Sequence, residues 1–478
     1  MKKRLLFILL ATLTFPVIKT AGQISDERIV GSWIGHITAS AMDVRIVFHF
    51  STSPSDTLVA TLDSPDQSVE GLKLGRVIHQ DSLVLIDATN LRIQYTGVIR
   101  NDTLIDGTWK QSGKEYQLNI QKMKAPLTVN RPQEPHPPFP YAAEEVSFMN
   151  KSENFSLAGT LTIPQGNGPF PGVVLITGSG YEDRDETVFN HKPFLVIADY
   201  LTRRGIAVLR YDDRATAKSG GNKTNATSLN LAGDAAAAVD YLMSRPEIDH
   251  NKIGLAGHSE GSFIAAITAS ERNDIAFIVS LAGPGIKGEE VILRQTRDMM
   301  TASGSDTAAV NENDREMHHL FDIIKSEKDP KNAFKKSVQW YNTFLDSKGV
   351  TDEKRKEEMS TFTKKVLAVN SAWFRYFLTT EPSQFWRKVK CPVLALNGEK
   401  DMQVYYRDNL DGIAAALKQG GNRKVTVISL PGHNHLFQHC KTGLGTEYAT
   451  IEETFSPVAL EKMSDWITET TRKTGSRK

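Results

Sequence analysis

The sequence predicts an α/β fold in which a small antiparallel, barrel-like β domain precedes a doubly wound, mainly parallel sheet. Three observations indicate this. Apolar residues alternate with a period of two from about residue 28 to 122, six prolines crowd residues 123–141, and strands alternate with amphipathic helices from about residue 172 onward. Such alternation is typical of a parallel sheet that helices cover on both faces. The 478 residues are enough for two or three domains.

Residues 1–22 have the pattern of a secretory signal peptide. Basic residues at 2–4 precede an apolar run over 5–15, and small residues follow at 20–22. The apolar run is too short to span a bilayer, and no later run of about 18 apolar residues occurs. We therefore expect a secreted or periplasmic protein without a membrane span.

The charge balance argues against nucleic acid as a partner. The chain has 57 Lys and Arg against 56 Asp and Glu. Segment 1–22 contains basic but no acidic residues, so its removal leaves a small acidic excess. A protein this close to neutral lacks the electrostatic attraction that nucleic-acid binding requires.

The region 23–122 is predicted to be an accessory domain. Seven short strands are expected, at 31–37, 43–50, 57–62, 82–86, 91–97, 104–109 and 116–120. Tight turns join them, as in an antiparallel meander that closes on itself or forms a sandwich. The Gly31-x-Trp33 opening resembles the first strand of lipocalin-type barrels. Because the histidines of this region are scattered, we expect a structural or glycan-contacting module.

Residues 123–141 are predicted to be a stiff, extended linker, because proline at this density prevents helices and central strands. The catalytic domain is then expected over 142–478. Within it, the strand and helix alternation stops between about 285 and 386, where the sequence becomes helical and rich in charge, Met and aromatic residues. We interpret this stretch as a helical lid inserted into the sheet domain.

The domain is organised around the pentapeptide Gly257-His258-Ser259-Glu260-Gly261, which matches G-x-S-x-G. A buried strand precedes it and a helix follows. A strand that turns directly into a helix holds the serine in a strained conformation, and a Cβ at either glycine would collide with a neighbouring element. The pattern indicates that Ser259 is a nucleophile at the N-terminus of the helix.

A serine hydroxyl needs a base and a group that orients the base. Both are expected past the C-terminal ends of later strands, because those ends open onto one crevice. The loop after strand 392–396 offers Asp401, with Glu399 as an alternative. The loop after strand 425–430 offers His433 or His435.

From about residue 141 to 473 the chain resembles the α/β-hydrolase superfamily, in the branch of bacterial serine esterases and peptidases related to dienelactone hydrolases and prolyl oligopeptidases. The matching segments are Gly257-x-Ser259-x-Gly261, Asn397-Gly-x-x-Asp401-x-x-Val404 and Asn434-His435-Leu-Phe. The resemblance implies Ser259 as nucleophile, Asp401 as acid and His435 as base, in the chain order of that superfamily. His435 is preferred to His433 because the family's catalytic histidine is usually followed by a bulky apolar residue.

The resemblance also implies an oxyanion hole made of two backbone N–H groups. One belongs to Glu260, and the other to the loop 177–181, where Ser179 is the best match. Two departures from the family pattern stand out. Thr177 occupies a position where relatives often have His, and Ala215 and Ala217 replace the glycines of an Arg-Gly-x-Gly-x-Ser segment.

The charged run Asp183-Arg184-Asp185 is interpreted either as an ion-paired anchor of the oxyanion loop or as a solvated cluster. The segment 283–288 fits G-x-G-x-x-G, but it occurs late in the sheet and contains Pro284, which argues against dinucleotide binding. A zinc site is likewise not expected, because the histidines and the cysteine of 433–440 lack a recognised ligand frame. The two cysteines, Cys391 and Cys440, are expected either to pair or to remain as buried free thiols.

The sequence therefore predicts a secreted serine esterase that needs no metal or cofactor. We expect its substrate to be a small-molecule ester, either one with a medium-length, uncharged acyl chain or an acylated sugar. One alternative is a serine peptidase or aminopeptidase of the prolyl oligopeptidase-like type. A third interpretation is a catalytically inactive, glycan-binding surface protein. The sequence does not specify an oligomeric state.

Overall fold

The computed structural model describes residues 28–39, 42–55, 57–67, 69–111, 113–125 and 130–474. The chain divides into two compact units, residues 1–127 and 128–478. The predicted signal peptide lies outside the described residues.

The first unit is an antiparallel sheet. Its strands among the described residues are β1 (Gly31–Ala39), β2 (Met42–Thr52), β3 (Leu58–Ser64), β4 (Val69–Lys73), β5 (Arg76–Gln80), β6 (Leu83–Ala88), β7 (Ile93–Asn101), β8 (Leu104–Gln111), β9 (Lys114–Gln117) and β10 (Ile120–Lys122). The strand order is β4-β3-β2-β1-β10-β8-β7-β6-β5, and β9 pairs with β8. The described pairing runs as an open path from β4 to β5. The lipocalin-like character of this unit stays a prediction.

Alternation along these strands produces one buried face. Trp33, Phe48, Tyr95 and Trp109 are almost fully buried and form the centre of the core. Gly107 leaves space for the side chain of Tyr95, because a Cβ at position 107 would lie 2.3 Å from the Tyr95 hydroxyl oxygen. The period-two pattern of the sequence thus corresponds to side chains that point alternately into and out of this core.

The second unit contains a mixed, mainly parallel sheet of eight strands among the described residues. These are β11 (Ala142–Asn150), β12 (Phe155–Ile163), β13 (Phe170–Ile176), β14 (Ala207–Tyr211), β15 (Ile248–His258), β16 (Phe277–Leu281), β17 (Val393–Gly398) and β18 (Val425–Leu430). Their order is β11-β12-β14-β13-β15-β16-β17-β18. The pairs β11–β12 and β12–β14 are antiparallel, and the others are parallel. The central strands read as continuous apolar runs because both of their faces are buried.

Helices cover the sheet and fill one long connection. They are α1 (Pro193–Arg203), α2 (Ser228–Met243), α3 (Glu260–Glu271), α4 (Gly288–Ala302), α5 (Thr307–Ser326), α6 (Pro330–Ser347), α7 (Asp352–Val369), α8 (Ala372–Thr379), α9 (Ser383–Trp386), α10 (Tyr406–Gln419), α11 (Gly445–Tyr448) and α12 (Pro457–Thr474). One face of the sheet packs on α2, α3 and α10, and the other on α1 and α12. Within the described part of the chain, no helix combines the length and the apolarity needed to cross a membrane.

The helices α4–α9 lie between β16 and β17, in the stretch for which the sequence predicts a helical lid. They have a core of their own, which includes Leu320, Phe321, Phe362 and Val366. This insertion is therefore a packed subassembly.

The proline-rich segment from residue 130 onward belongs to the second unit and is held on it by hydrogen bonds. The Arg131 guanidinium donates to the main-chain oxygens of Asn190 and Ile451, at 2.9 and 2.7 Å. The Tyr141 hydroxyl donates to Asp199 at 2.8 Å, and its ring stacks on Phe139. Only the beginning of the predicted linker coincides with the boundary between the units.

Candidate functional site

The predicted nucleophile occupies a sharp turn between β15 and α3. Ser259 has φ 52° and ψ −120°, a conformation that L residues rarely adopt. A Cβ at Gly257 would lie 2.1 Å from the carbonyl carbon of Gly261, and a Cβ at Gly261 would lie 2.1 Å from the oxygen of Ile176. Both glycines are therefore required by crowding. Ser259 remains partly exposed, whereas His258 and Glu260 on either side are buried.

The predicted acid and base lie on the loops that follow β17 and β18. Nδ1 of His435 is 2.7 Å from Oδ2 of Asp401, and both side chains are buried. The other carboxylate oxygen of Asp401 accepts hydrogen bonds from the main-chain N–H groups of Gln403 and Val404, at 2.7 and 2.8 Å. These bonds hold the carboxylate so that it faces the imidazole.

The residues that the sequence offers as alternatives have different hydrogen-bond partners. Nε2 of His433 hydrogen-bonds to Ser456, and its Nδ1 hydrogen-bonds to the main-chain oxygen of Pro431, each at 2.8 Å. Glu399 accepts a hydrogen bond from the Ser429 hydroxyl. His433 and Glu399 thus have other partners, and Asp401 and His435 contact each other.

His258 connects the nucleophile turn with the histidine loop. Its Nε2 lies 2.9 Å from the main-chain oxygen of His435, and the two rings are 4.7 Å apart between centroids. Among the described residues, no hydrogen bond joins the Ser259 hydroxyl to the His435 ring. Such bonds are often long in ligand-free sites and tighten when a substrate binds.

The loop after β13 approaches the serine closely. A Cβ at Gly178 would lie 3.3 Å from Cβ of Ser259. The Gly178 N–H donates to Oε1 of Glu186 at 2.8 Å, so this amide already has an acceptor. Thr177, one of the two departures from the family pattern, donates its hydroxyl hydrogen to the Asp213 carboxylate. The next amide along the loop is that of Ser179, the predicted second oxyanion donor.

The structure adds a buried ion pair that the sequence analysis missed. Nδ1 of His258 is 2.9 Å from Oε1 of Glu186, and both residues are buried. Burial by itself would lower the pKa of His258, but the adjacent Glu186 carboxylate raises it to about 9. No local signal predicts this pair, because Glu186 is 72 positions away along the chain.

Three further carboxyl groups lie near this ion pair or near the serine. Burial raises the pKa of Asp213 to about 7. Burial, together with Glu186 and Asp213, also raises the pKa of Glu182. Burial raises the pKa of Glu260 as well, although hydrogen bonds to its carboxyl group offset part of the effect. Acids with raised pKa values in a crevice are typical of functional sites.

The charged run 183–185 makes ion pairs, one of the two interpretations that the sequence allows. Arg184 forms a bidentate pair with Asp212, with nitrogen–oxygen distances of 3.0 and 2.8 Å. Arg210 pairs with Asp185. These contacts attach the segment after the predicted oxyanion loop to the end of β14.

The glycines of segment 283–288 serve packing. A Cβ at Gly283 would lie 2.0 Å from the Ser262 hydroxyl oxygen, and one at Gly285 would lie 2.0 Å from the main-chain oxygen of Asn409. Cys391 and Cys440 are both free thiols. Among the described residues, no group of three or more His, Cys, Asp or Glu side chains is arranged to hold a metal ion.

Two family models match parts of the chain. One, described as "Esterase FrsA-like", matches residues 118–295. The other, described as "BAAT / Acyl-CoA thioester hydrolase C terminal", matches residues 236–365. The first match includes the predicted nucleophile turn and oxyanion loop, and the second includes the nucleophile turn and much of the helical insertion.

Known proteins show the same likeness. Esterase EstD of Thermotoga maritima is 27% identical over 281 residues, which cover 59% of this chain and 58% of EstD. Mouse peroxisomal succinyl-coenzyme A thioesterase is 26% identical over 133 residues, or 28% of each chain. The chain thus spans less than two thirds of either relative. The solved structure of Pyrococcus furiosus esterase Pf2001 has 16% identity and a TM-score of 0.40, and the match covers 69% of this chain and 93% of that one. The predicted resemblance to esterases is confirmed by the FrsA-like and EstD matches.

Proposed function

We propose, from the premise that this chain resembles esterases of the α/β-hydrolase type, that it is a serine hydrolase that cleaves carboxylic esters. Ser259 is the nucleophile, His435 the general base and acid, and Asp401 the carboxylate that orients the imidazole. The 2.7 Å contact between His435 and Asp401, next to the strained turn of Ser259, is the observation that carries the proposal.

In the first half of the reaction, Oγ of Ser259 attacks the ester carbonyl carbon while Nε2 of His435 accepts the hydroxyl proton. Asp401 stabilises the resulting imidazolium through its bond to Nδ1. The tetrahedral oxyanion accepts hydrogen bonds from the main-chain N–H groups of Glu260 and Ser179. When the intermediate collapses, the bond to the alcohol oxygen breaks and His435 returns its proton to that oxygen. An acyl-enzyme on Ser259 remains.

In the second half, water replaces the alcohol. His435 accepts a proton from the water, whose oxygen attacks the acyl carbon and forms a second tetrahedral intermediate. The bond between the acyl carbon and Oγ of Ser259 then breaks, and His435 gives its proton to Oγ. The products are the free acid and the regenerated enzyme, so the cycle consumes one ester and one water.

The position of Ser259 at the N-terminus of α3 supports this assignment. The first N–H groups of a helix lack partners within the helix and point toward negative charge. The helix begins at Glu260, directly after the serine. The amide of Glu260 is therefore oriented by the same turn that exposes the serine hydroxyl.

The proposal is tested by replacing Ser259 with alanine. We expect S259A to lose p-nitrophenyl acetate hydrolysis by about ten-thousand-fold in kcat and to lose labelling by a fluorophosphonate probe. Retention of more than trace turnover or labelling would rule out Ser259 as the nucleophile.

The neighbouring histidines provide a matched control. H435A should lose activity as S259A does, since it removes the base. H433A should retain activity within about tenfold, because His433 bonds to Ser456 and Pro431, away from Asp401. Equal losses in the two variants would contradict the choice of His435.

Thioesters are the second candidate substrate class. The acyl-CoA thioester hydrolase model matches residues 236–365, and the second curated relative is a thioesterase. The same acyl transfer applies, with a thiolate as leaving group in place of an alkoxide. Comparison of kcat/KM for an oxygen ester and a thioester of the same acyl group separates the two classes.

A further inference from the structure

The side chain of Glu260 is a buried carboxyl that joins three elements beside the nucleophile. Its Oε1 accepts a hydrogen bond from the Ser228 hydroxyl at 2.6 Å and one from the Trp373 indole N–H at 2.7 Å. Ser228 begins α2, Trp373 belongs to α8 in the helical insertion, and Glu260 itself begins α3. One oxygen atom therefore joins the insertion to the nucleophile helix.

Burial of this carboxyl is costly. Glu260 is only 2% exposed, and its Oε2 has no hydrogen-bond partner. An acidic group in such a place loses hydration that two hydrogen bonds on one oxygen do not fully replace. Burial raises the pKa of the carboxyl, and the hydrogen bonds from Ser228 and Trp373 offset part of the rise.

Trp373 is held on two sides. Its indole N–H donates to Glu260, and its ring stacks nearly parallel on Phe377, with centroids 5.8 Å apart and an interplanar angle of 4°. Phe377 is buried against Val291 and Val404. The hydrogen bond and the stacked ring together constrain the position of the indole. The acceptor of that hydrogen bond is Glu260, the residue that follows Ser259, so the side chain of Glu260 sets where the indole lies relative to the serine.

Trp373 forms one wall of a pocket of about 430 Å³. The loop residues Ser179, Gly180 and Tyr181 also line it. This loop follows Gly178, whose added Cβ would lie 3.3 Å from Cβ of Ser259. Leu231, Ala226 and the indole supply apolar surface, and Lys223, Asn225 and Ser371 supply polar groups. The loop that follows β13 thus approaches the serine at Gly178 and lines this partly apolar pocket from Ser179 onward.

We propose that Glu260 is a positioning residue that holds Trp373 as a wall of this pocket, and that Trp373 thereby limits the size of the ester group that the enzyme accepts. This inference rests on the proposed function, because it assigns the pocket to one side of the ester that Ser259 attacks. The backbone of Glu260 serves the oxyanion, and its side chain sets specificity.

The inference is tested with p-nitrophenyl esters from acetate to decanoate. Removal of the indole in W373A enlarges the pocket, so the ratio of kcat/KM for octanoate to that for acetate should rise about tenfold or more. E260A leaves the indole without its acceptor, and the same ratio should rise about threefold. E260Q keeps an oxygen that accepts from the indole and should bring the ratio back toward that of the unmodified protein.

W373F and W340F serve as matched variants. W373F keeps a ring but lacks the N–H, so it should behave like E260A, and it remains informative if W373A does not fold. Trp340 packs with the insertion core, and W340F should leave the ratio unchanged. Effects of W373A and E260A should be less than additive when combined, since both act through one indole.

The outcomes distinguish this inference from the proposed function. The first outcome is ester turnover that depends on Ser259, together with an octanoate-to-acetate ratio that stays within twofold of the original in W373A, W373F and E260A. This result would overturn the role of Glu260 and Trp373 in specificity and leave the proposed function standing. Absence of turnover that depends on Ser259 in the unmodified protein would overturn both. An equal shift of the ratio in W340F would show a general effect of the insertion, and it would also overturn the role of Glu260 and Trp373 in specificity.

Discussion

Ala215 and Ala217 adopt φ values of 56° and 44°, in the left-handed region that favours glycine. The family pattern that the sequence resembles has glycine at both positions. The surrounding bonds explain why the loop keeps this conformation. Ala215 N–H donates to the oxygen of Gly220, and Lys218 N–H donates to Asp212. The loop therefore keeps a glycine-type backbone and holds two alanines in a strained conformation.

We expect A215G and A217G each to stabilise the protein by about 0.5–1 kcal/mol. A left-handed alanine costs about 1–2 kcal/mol, and part of the gain is lost because glycine is more flexible in the unfolded chain. Urea unfolding at neutral pH measures the difference. The control is A236G in the middle of α2, where the same change should destabilise by about 1 kcal/mol. A loss of stability in both loop variants would contradict the strain.

The His258–Glu186 pair predicts a pH dependence of stability. The pKa of His258 rises from 6.5 to about 9 on folding. The stabilisation of the folded state by this ion pair is therefore fully present below pH 6.5 and is lost as the pH rises through about 9. The linked free energy is on the order of 3 kcal/mol. Asp213 and Glu182, whose pKa values are also raised, act in the same direction.

E186Q isolates this contribution. The stability difference between the unmodified protein and E186Q should shrink by about 3 kcal/mol between pH 6.5 and 9, as measured by urea unfolding at each pH. E453Q is the control, because it alters the exposed pair of His439 and Glu453. The inference about the ion pair fails if the two variants show the same pH profile.

At the scale of elements, Arg214 joins the end of β14 to α2. Its side chain is 1% exposed and binds Asp234 through two nitrogens, at 2.7 and 2.9 Å. The guanidinium also pairs with Glu153. The loop with the two strained alanines follows directly, so this ion pair holds the start of that loop against the helix.

We expect D234A to destabilise the protein by about 3–5 kcal/mol, because it leaves a buried guanidinium without its main partner. D240A, on the same helix, removes a carboxylate that is 60% exposed and paired with Arg272, and it should cost less than about 1 kcal/mol. Chemical unfolding of both variants provides the comparison. Similar losses would show that helix propensity, and not the buried pair, accounts for the effect.

The elements differ in how far the sequence predicts them. The nucleophile turn follows from five consecutive residues, because crowding at Gly257 and Gly261 is a local requirement. The loops of Asp401 and His435 follow from their place after strands. The choices of His435 over His433 and of Asp401 over Glu399 rest on family resemblance, since all four residues lie on equally suitable loops. Their hydrogen-bond partners distinguish them only in the folded chain.

At the scale of the whole molecule, the chain has two units with separate cores. Trp33, Phe48 and Trp109 belong to the core of the first unit. The second unit has a core on each face of its sheet and another within the helical insertion. Every residue of the candidate site lies in the second unit. The proposed chemistry is therefore a property of that unit.

The sequence by itself determined the local features: strand and helix periodicity, the proline-rich boundary region, and the strained serine turn. Each depends on neighbours within a few residues. Only the tertiary structure decided the partners of buried charges, such as His258 with Glu186, Arg214 with Asp234 and Glu260 with Trp373. Those residues are far apart along the chain, and the cost of burying an unpaired polar group selects their partners only when the chain packs.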